Sequence, residues 1–306
     1  MQVFLKFHFN FLIFAIIFVI NDYVKSEAEI QSVPAWKLYS NPQYDPPWCP
    51  FINFRLIGMA KDNGTKTWLG GICYKQDNIA LYDIFFKMSP NGITWDTQGD
   101  DWKLQEDNLT SLWLTESGIE NDEHAKFWWT FRHMEHNPII QNEWPDHLKN
   151  QLKSALEICW WAGLRLGNWH KYQKALQSYI ASGTNAHILL GGTLGERVPE
   201  ELADISIESV CHLYIYEYVE PLNTHEQPIF VFGYNSPFAD FYNRSEIVFC
   251  PDICSEIPWL SSTWQTFNYS TMGIMFCCTV DQVKRTHLHL NVNEINVVEK
   301  YVVGLK

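Results

Sequence analysis

Residues 167–195, GNWHKYQKALQSYIASGTNAHILLGGTLG, decide how this chain is read as a fold. Trp169, Tyr172, Leu176, Tyr179 and Ile180 recur at three- and four-residue spacing, the period of an α-helix with one apolar side. Gly183 stands where a helix C-terminus favours a residue tolerant of positive φ. His187 to Leu190 form a short apolar run closed by Gly191, Gly192 and Gly195, which reads as a buried strand with a glycine-rich exit. The stretch predicts a core helix over 168–182 packed on a sheet, with Asn168 as its N-cap.

The flanks supply the sheet. Downstream, residues 213–219 and 229–234 are strong strand patterns joined by a Pro/Asn-containing connection, an expected antiparallel pair. Upstream, residues 54–59, 67–73 and 80–86 read as strands, with Asp62-Asn63-Gly64 as a hairpin turn between the first two. A helical piece is expected near 109–114. Leu148, Leu152, Leu156 and Cys159 share one face of a predicted helix over 145–161. The fold class that follows is α+β, an antiparallel-rich central sheet with flanking helices.

The 306 residues are 46% hydrophobic and 15% aromatic, ample for a real core. The first 26 read as a secretory signal: Lys6 is basic, Phe11 to Ile20 is unbroken apolar, and Val24 to Ser26 suits cleavage. A retained signal anchor is the competing reading. Eight cysteines, an even number, and the sequons at Asn63, Asn108, Asn243 and Asn268 agree with an oxidising, extracellular setting. No later segment is long and apolar enough to span a bilayer, so no membrane association is expected after signal removal. The formal charge is −13, and loss of Lys6, Lys25 and Asp22 with the signal leaves about −14. That is a poor footprint for gripping a polyanion. His287 and His289 share a strand face, a pair read as surface residues rather than as part of a zinc site. The late cysteines Cys250, Cys254, Cys277 and Cys278 suit either two bridges or a zinc site, and the compartment favours bridges.

The order GNW (167–169), a helix, HILLGGTLG (187–195), HLYIYEYVE (212–220), PIFVFGYNSPF (228–238), IVFCPDICSEIPWL (247–260) and MFCCTVDQV (275–283) resembles the secreted animal branch of the DNA/RNA non-specific endonucleases, the ββα-metal nucleases. Ile57-Gly58 and Gly71-Ile72-Cys73 are also similar to that branch. Beside the signal peptide read at 1–26, the resemblance implies an extension with first strands at 27–125 and a nuclease-like core at 126–306. It also implies a Cys250–Cys278 disulfide, to which Cys254–Cys277 would be an addition.

The chemistry implied is Mg²⁺-dependent phosphodiester hydrolysis of DNA or RNA. A histidine acts as general base on water, a helix-borne asparagine holds hydrated Mg²⁺, and a helical glutamate orients metal-bound water. Family spacing places the base at His136, with Pro138 beyond it. Met134 and Glu135 stand where the family has Arg and Gly, while a shifted register uses Arg132-His133. The metal position falls at Glu157, read here as a helix-surface carboxylate. Asn168 and Gln173 fall on the substrate side of the implied site. Gln173 is neutral where the family has the helical glutamate, and its residue-level reading is a surface helix position. Two functions follow from the resemblance: a nuclease with weak or lost activity, or a pseudonuclease that binds nucleic acid or a protein partner without turnover. A third, unrelated reading is a secreted structural or effector glycoprotein with no nucleic-acid contact.

Overall fold

Residues His212–Pro221 (β10), HLYIYEYVEP, alternate Tyr214, Tyr216 and Tyr218 with Ile215, Glu217 and Val219, so each set lies on one face of the strand. Both sets are buried, which requires cover on both faces of the sheet. In the computed structural model, which describes residues 37–40, 53–60, 66–74, 81–88, 95–97, 103–105, 129–133, 157–185, 187–197, 212–222 and 224–286, that cover is present. All of these residues belong to the unit Trp36–Lys306.

The remaining strands are Lys37–Ser40 (β1), Asn53–Ala60 (β2), Lys66–Tyr74 (β3), Leu81–Met88 (β4), Trp95–Thr97 (β5), Lys103–Gln105 (β6), Trp129–His133 (β7), Glu157–Trp161 (β8), His187–Arg197 (β9), Ile229–Tyr234 (β11) and Met275–Thr279 (β12). Ten of the twelve form one antiparallel sheet in the order β12-β11-β10-β9-β4-β3-β2-β1-β6, with β5 paired to β3. β7 and β8 form a separate antiparallel pair in which Trp129 faces Trp161 and His133 faces Glu157. The expected antiparallel pairing of β10 with β11 is present, as are the three upstream strands. The class is α+β.

One face of the sheet carries Ile215, Val219, Val231, Leu189 and Met275, packed against helix His170–Ser182 (α1) through Tyr172, Leu176 and Ile180. The other carries an aromatic layer, in which Phe232 stacks on Phe276 with centroids 5.3 Å apart and Tyr214 meets Phe249 edge-on at 5.4 Å. Short helices Arg244–Ile247 (α2) and Val280–Thr286 (α3) follow, with 3-10 turns filling the C-terminal loop. The vicinal Cys277 and Cys278 of β12 point to opposite faces because strand side chains alternate. Cys277 bonds Cys254 on the α1 face, and Cys278 bonds Cys250 on the aromatic face. Both bridges implied above are thus made, and the zinc alternative for these four cysteines falls away. Cys73 and Cys159 are disulfide-bonded as well.

Four local expectations are corrected. Residues 157–161 are strand, not the end of a helix, because β7 supplies a hydrogen-bonding edge. The glycines after Leu190 do not close β9, which runs on to Arg197 between β4 and β10. Gly183 has φ −86 and ψ 175, ordinary extended backbone that needs no glycine. Asn168 does not cap α1, whose N-cap is Trp169 with no side-chain cap bond. The expected turn at 62–64, the helical piece near 109–114 and the His287/His289 pair lie outside the described residues.

Candidate functional site

The entrance to α1 is built by a close approach of two backbones. A π turn, Arg165–Trp169, precedes the helix and is kinked at Gly167, with φ −92 and ψ −112. A Cβ on Gly167 would stand 2.5 Å from the Met272 carbonyl oxygen, so only glycine lets the C-terminal loop pass. Gly273, at φ +83, completes that crossing. Asn168 lies fully buried beside it. Its Nδ2 donates to the carbonyls of Thr266 and Gly273, both at 2.7 Å, and its Oδ1 accepts from the Thr266 hydroxyl at 2.7 Å. Every hydrogen-bonding direction of the amide except one acceptor lone pair is engaged with the loop, which explains why Asn168 is not free to cap the helix.

One turn further along, Gln173 is buried at 3% exposure rather than on the surface. It falls on the same stripe as Leu176 and Ile180, so the helix turns it to the sheet. There its Nε2 donates at 2.7 Å to Glu217 Oε2 on β10, a carboxylate with 0% exposure. The residue paired with Glu217 on β9 is Gly191, which has no side chain to fill the space over the sheet at that point. Tyr172 packs in the same layer, edge-on to Trp169 at 5.3 Å. Burial first, and then the negative charge of Glu217, push its phenol well above the ordinary tyrosine range.

Glu157 opens β8 opposite His133, on a strand of the small β7–β8 pair and not on a helix surface. Arg132 lies in β7, while Met134, Glu135, His136 and Pro138 lie outside the described residues. So do Asn63 and Asn108. Asn243 and Asn268 are exposed. The structure therefore brings Gln173 to Glu217 and Asn168 to the 266–273 loop. Neither amide presents itself to solvent.

β8 is tied to the main sheet by a residue that motif reading noted without a role. Asn235, at the end of β11, is fully buried. It accepts the Trp161 N–H at 2.7 Å and donates to the carbonyls of Cys159 at 2.8 Å and His212 at 3.1 Å. Glu217 is the other residue that sequence reading passed over. Its signal was legible, a lone carboxylate in the middle of an otherwise apolar strand, which demands a buried donor.

Among the described residues, Asp252, Cys254 and Cys277 bring three potential metal ligands within 4.8 Å of one another. The two sulfurs share a disulfide, so neither is a thiolate ligand. Asp252 Oδ1 accepts the N–H groups of Cys254 and Cys277 at 3.0 and 3.1 Å, and Oδ2 pairs with Arg244 at 3.0 Å. The carboxylate braces the disulfide knot and is not available to a cation.

His187, at the start of β9, is 2% exposed and meets Tyr179 edge-on at 5.0 Å. Burial lowers its pKa, against the opposing pull of the Glu226 charge. A lowered pKa means that this histidine's contribution to stability is present above about pH 6.5, the unfolded value, and is lost as pH falls through the folded one. His187→Phe is therefore expected to lose less stability than the parent between pH 7 and pH 5. Urea denaturation of both proteins at the two pH values checks this, and equal losses would refute the assignment.

No protein-family model matches the chain, and comparison with curated proteins finds no match.

Proposed function

We propose that this is a secreted, disulfide-braced protein of nuclease-like architecture that works by binding and not by Mg²⁺-dependent phosphodiester hydrolysis. The order of two antiparallel strands followed at once by a helix, β7–β8–α1, supports the architectural part. The single observation that carries the functional part is the buried Gln173–Glu217 hydrogen bond. In the resemblance, the position of Gln173 serves a hydrated metal with a carboxylate. Here a neutral amide stands there and turns its N–H to a core glutamate.

Two residues of the implied site, Asn168 and Gln173, are poorly placed to serve Mg²⁺, a hard cation that takes oxygen ligands and keeps several waters. Asn168 is closed off by the 266–273 loop, Gln173 is held by Glu217, and both are buried. The charge of −13 further disfavours a polyanion as partner and favours a protein or a smaller molecule.

Supercoiled plasmid and double-stranded RNA, each incubated with the purified protein in Mg²⁺ or EDTA, test this reading. The expected result is no chelator-sensitive cleavage and no salt-sensitive retention of either nucleic acid. Mg²⁺-dependent digestion that disappears in His136→Ala would overturn it.

A further inference from the structure

The face of α1 that carries Tyr179 borders a cavity of about 610 Å³, within the size range of small-molecule sites. Its floor comes from the ends of β10 and β11 through Val219 and Ile229, and its wall from the C-terminal 3-10 turns through Ile257 and Trp259. Trp259 stacks on Tyr179 with centroids 5.0 Å apart and planes 10° from parallel, giving the wall a fixed aromatic surface. The charged residues among those described on its lining are Glu226 and Glu256, with no Lys, Arg or His among the described lining residues. The Tyr179 hydroxyl donates to Glu226, which holds that carboxylate at the cavity instead of leaving it to swing in solvent. Neither carboxylate takes part in the Gln173–Glu217 or Asn168 networks.

We propose that this cavity binds a small organic cation, an aryl- or alkylammonium whose hydrocarbon part packs on Val219, Ile229, Ile257 and Trp259 while its ammonium meets Glu226 and Glu256. An apolar body needs a concave apolar wall, and this cavity supplies one. An ammonium needs carboxylate oxygen or an aromatic face, and both lie on the lining. An anion of the same shape meets two carboxylates and no cation, on a chain whose net charge is −13. The selectivity that follows is cation over neutral over anion at constant shape.

Isothermal titration of the full secreted protein with 2-phenylethylammonium, 2-phenylethanol and phenylacetate reads that order directly. The ammonium is expected to bind about tenfold or more tighter than the alcohol, with no measurable binding of the carboxylate. Glu256 is exposed, so Glu256→Gln is expected to fold normally. Combined with Glu226→Gln, it should bring the ammonium down to the alcohol's affinity and leave the alcohol unchanged. Trp259→Ala should weaken ammonium and alcohol together, with far-UV circular dichroism confirming the fold. Equal affinities for ammonium and alcohol, binding of phenylacetate, no binding of the ammonium at millimolar concentration, or no effect of the double substitution would each overturn the proposal.

Discussion

Replacing Asn235 by alanine is expected to lower the unfolding free energy by about 3 kcal/mol and the Tm by roughly 6–12 °C. The side chain makes three buried hydrogen bonds at 2.7, 2.8 and 3.1 Å. Two of its partners, the Trp161 N–H and the Cys159 carbonyl, are on alternate residues of β8 and so emerge on the same strand edge. Asn235 therefore serves β8 as a one-residue strand partner. Alanine leaves those buried backbone groups without their side-chain partner, which costs more than the net value of the bonds themselves. Asn235→Asp is the discriminating control. It keeps an acceptor for Trp161 but turns a second acceptor toward the Cys159 and His212 carbonyls. The expected loss is at least as large as for alanine. Melting curves of both variants within a degree of the parent would remove Asn235 from this role.

Gln173→Glu is the second large effect, and it depends on pH. A carboxyl at this position stands buried against Glu217, so both burial and like charge raise its pKa above the ordinary value of about 4.3. A raised carboxyl contributes its stability below the unfolded pKa and loses it as pH rises through the folded one. The variant is thus expected to be close to the parent at about pH 4, where the new carboxyl donates a proton to Glu217 as the amide did. By pH 7 it is expected to be less stable by about 3 kcal/mol. Urea denaturation at the two pH values measures the gap. A gap that does not widen with pH would mean that residue 173 does not face Glu217. The same variant bears on the proposed function, since it restores the residue type that the nuclease resemblance implies at this position. No gain in Mg²⁺-dependent cleavage is expected, because the side chain at 173 is buried against Glu217 on the sheet.

Much of the sheet was legible because its signal is local. Strands β10 and β11 alternate side chains with period two, and β12 presents two vicinal cysteines that can only leave by opposite faces. Helix α1 was equally plain from its apolar period. The two misread strands share one cause. Leu148, Leu152, Leu156 and Cys159 have helical spacing, yet the part of that stretch from Glu157 onward is strand because β7 lies alongside it, and periodicity does not register a partner. Gly191 and Gly192 look like a stop signal, but inside a sheet with neighbours on both sides the ladder continues through them.

The site divides along the same line. Composition, cysteine parity and strand alternation settled by themselves the α+β class, the antiparallel pairing of the central strands and the position of α1, since each rests on the local period or chemistry of the chain. The orientation of the two amides on α1 was decided only in three dimensions. Asn168 reads as a helix cap and Gln173 as a surface residue until a loop some 100 positions later closes over the first and β10 sets a carboxylate beneath the second. A side chain's hydrogen-bond capacity is written in its type, but its partner is set by which distant backbone the packed core brings within 3 Å.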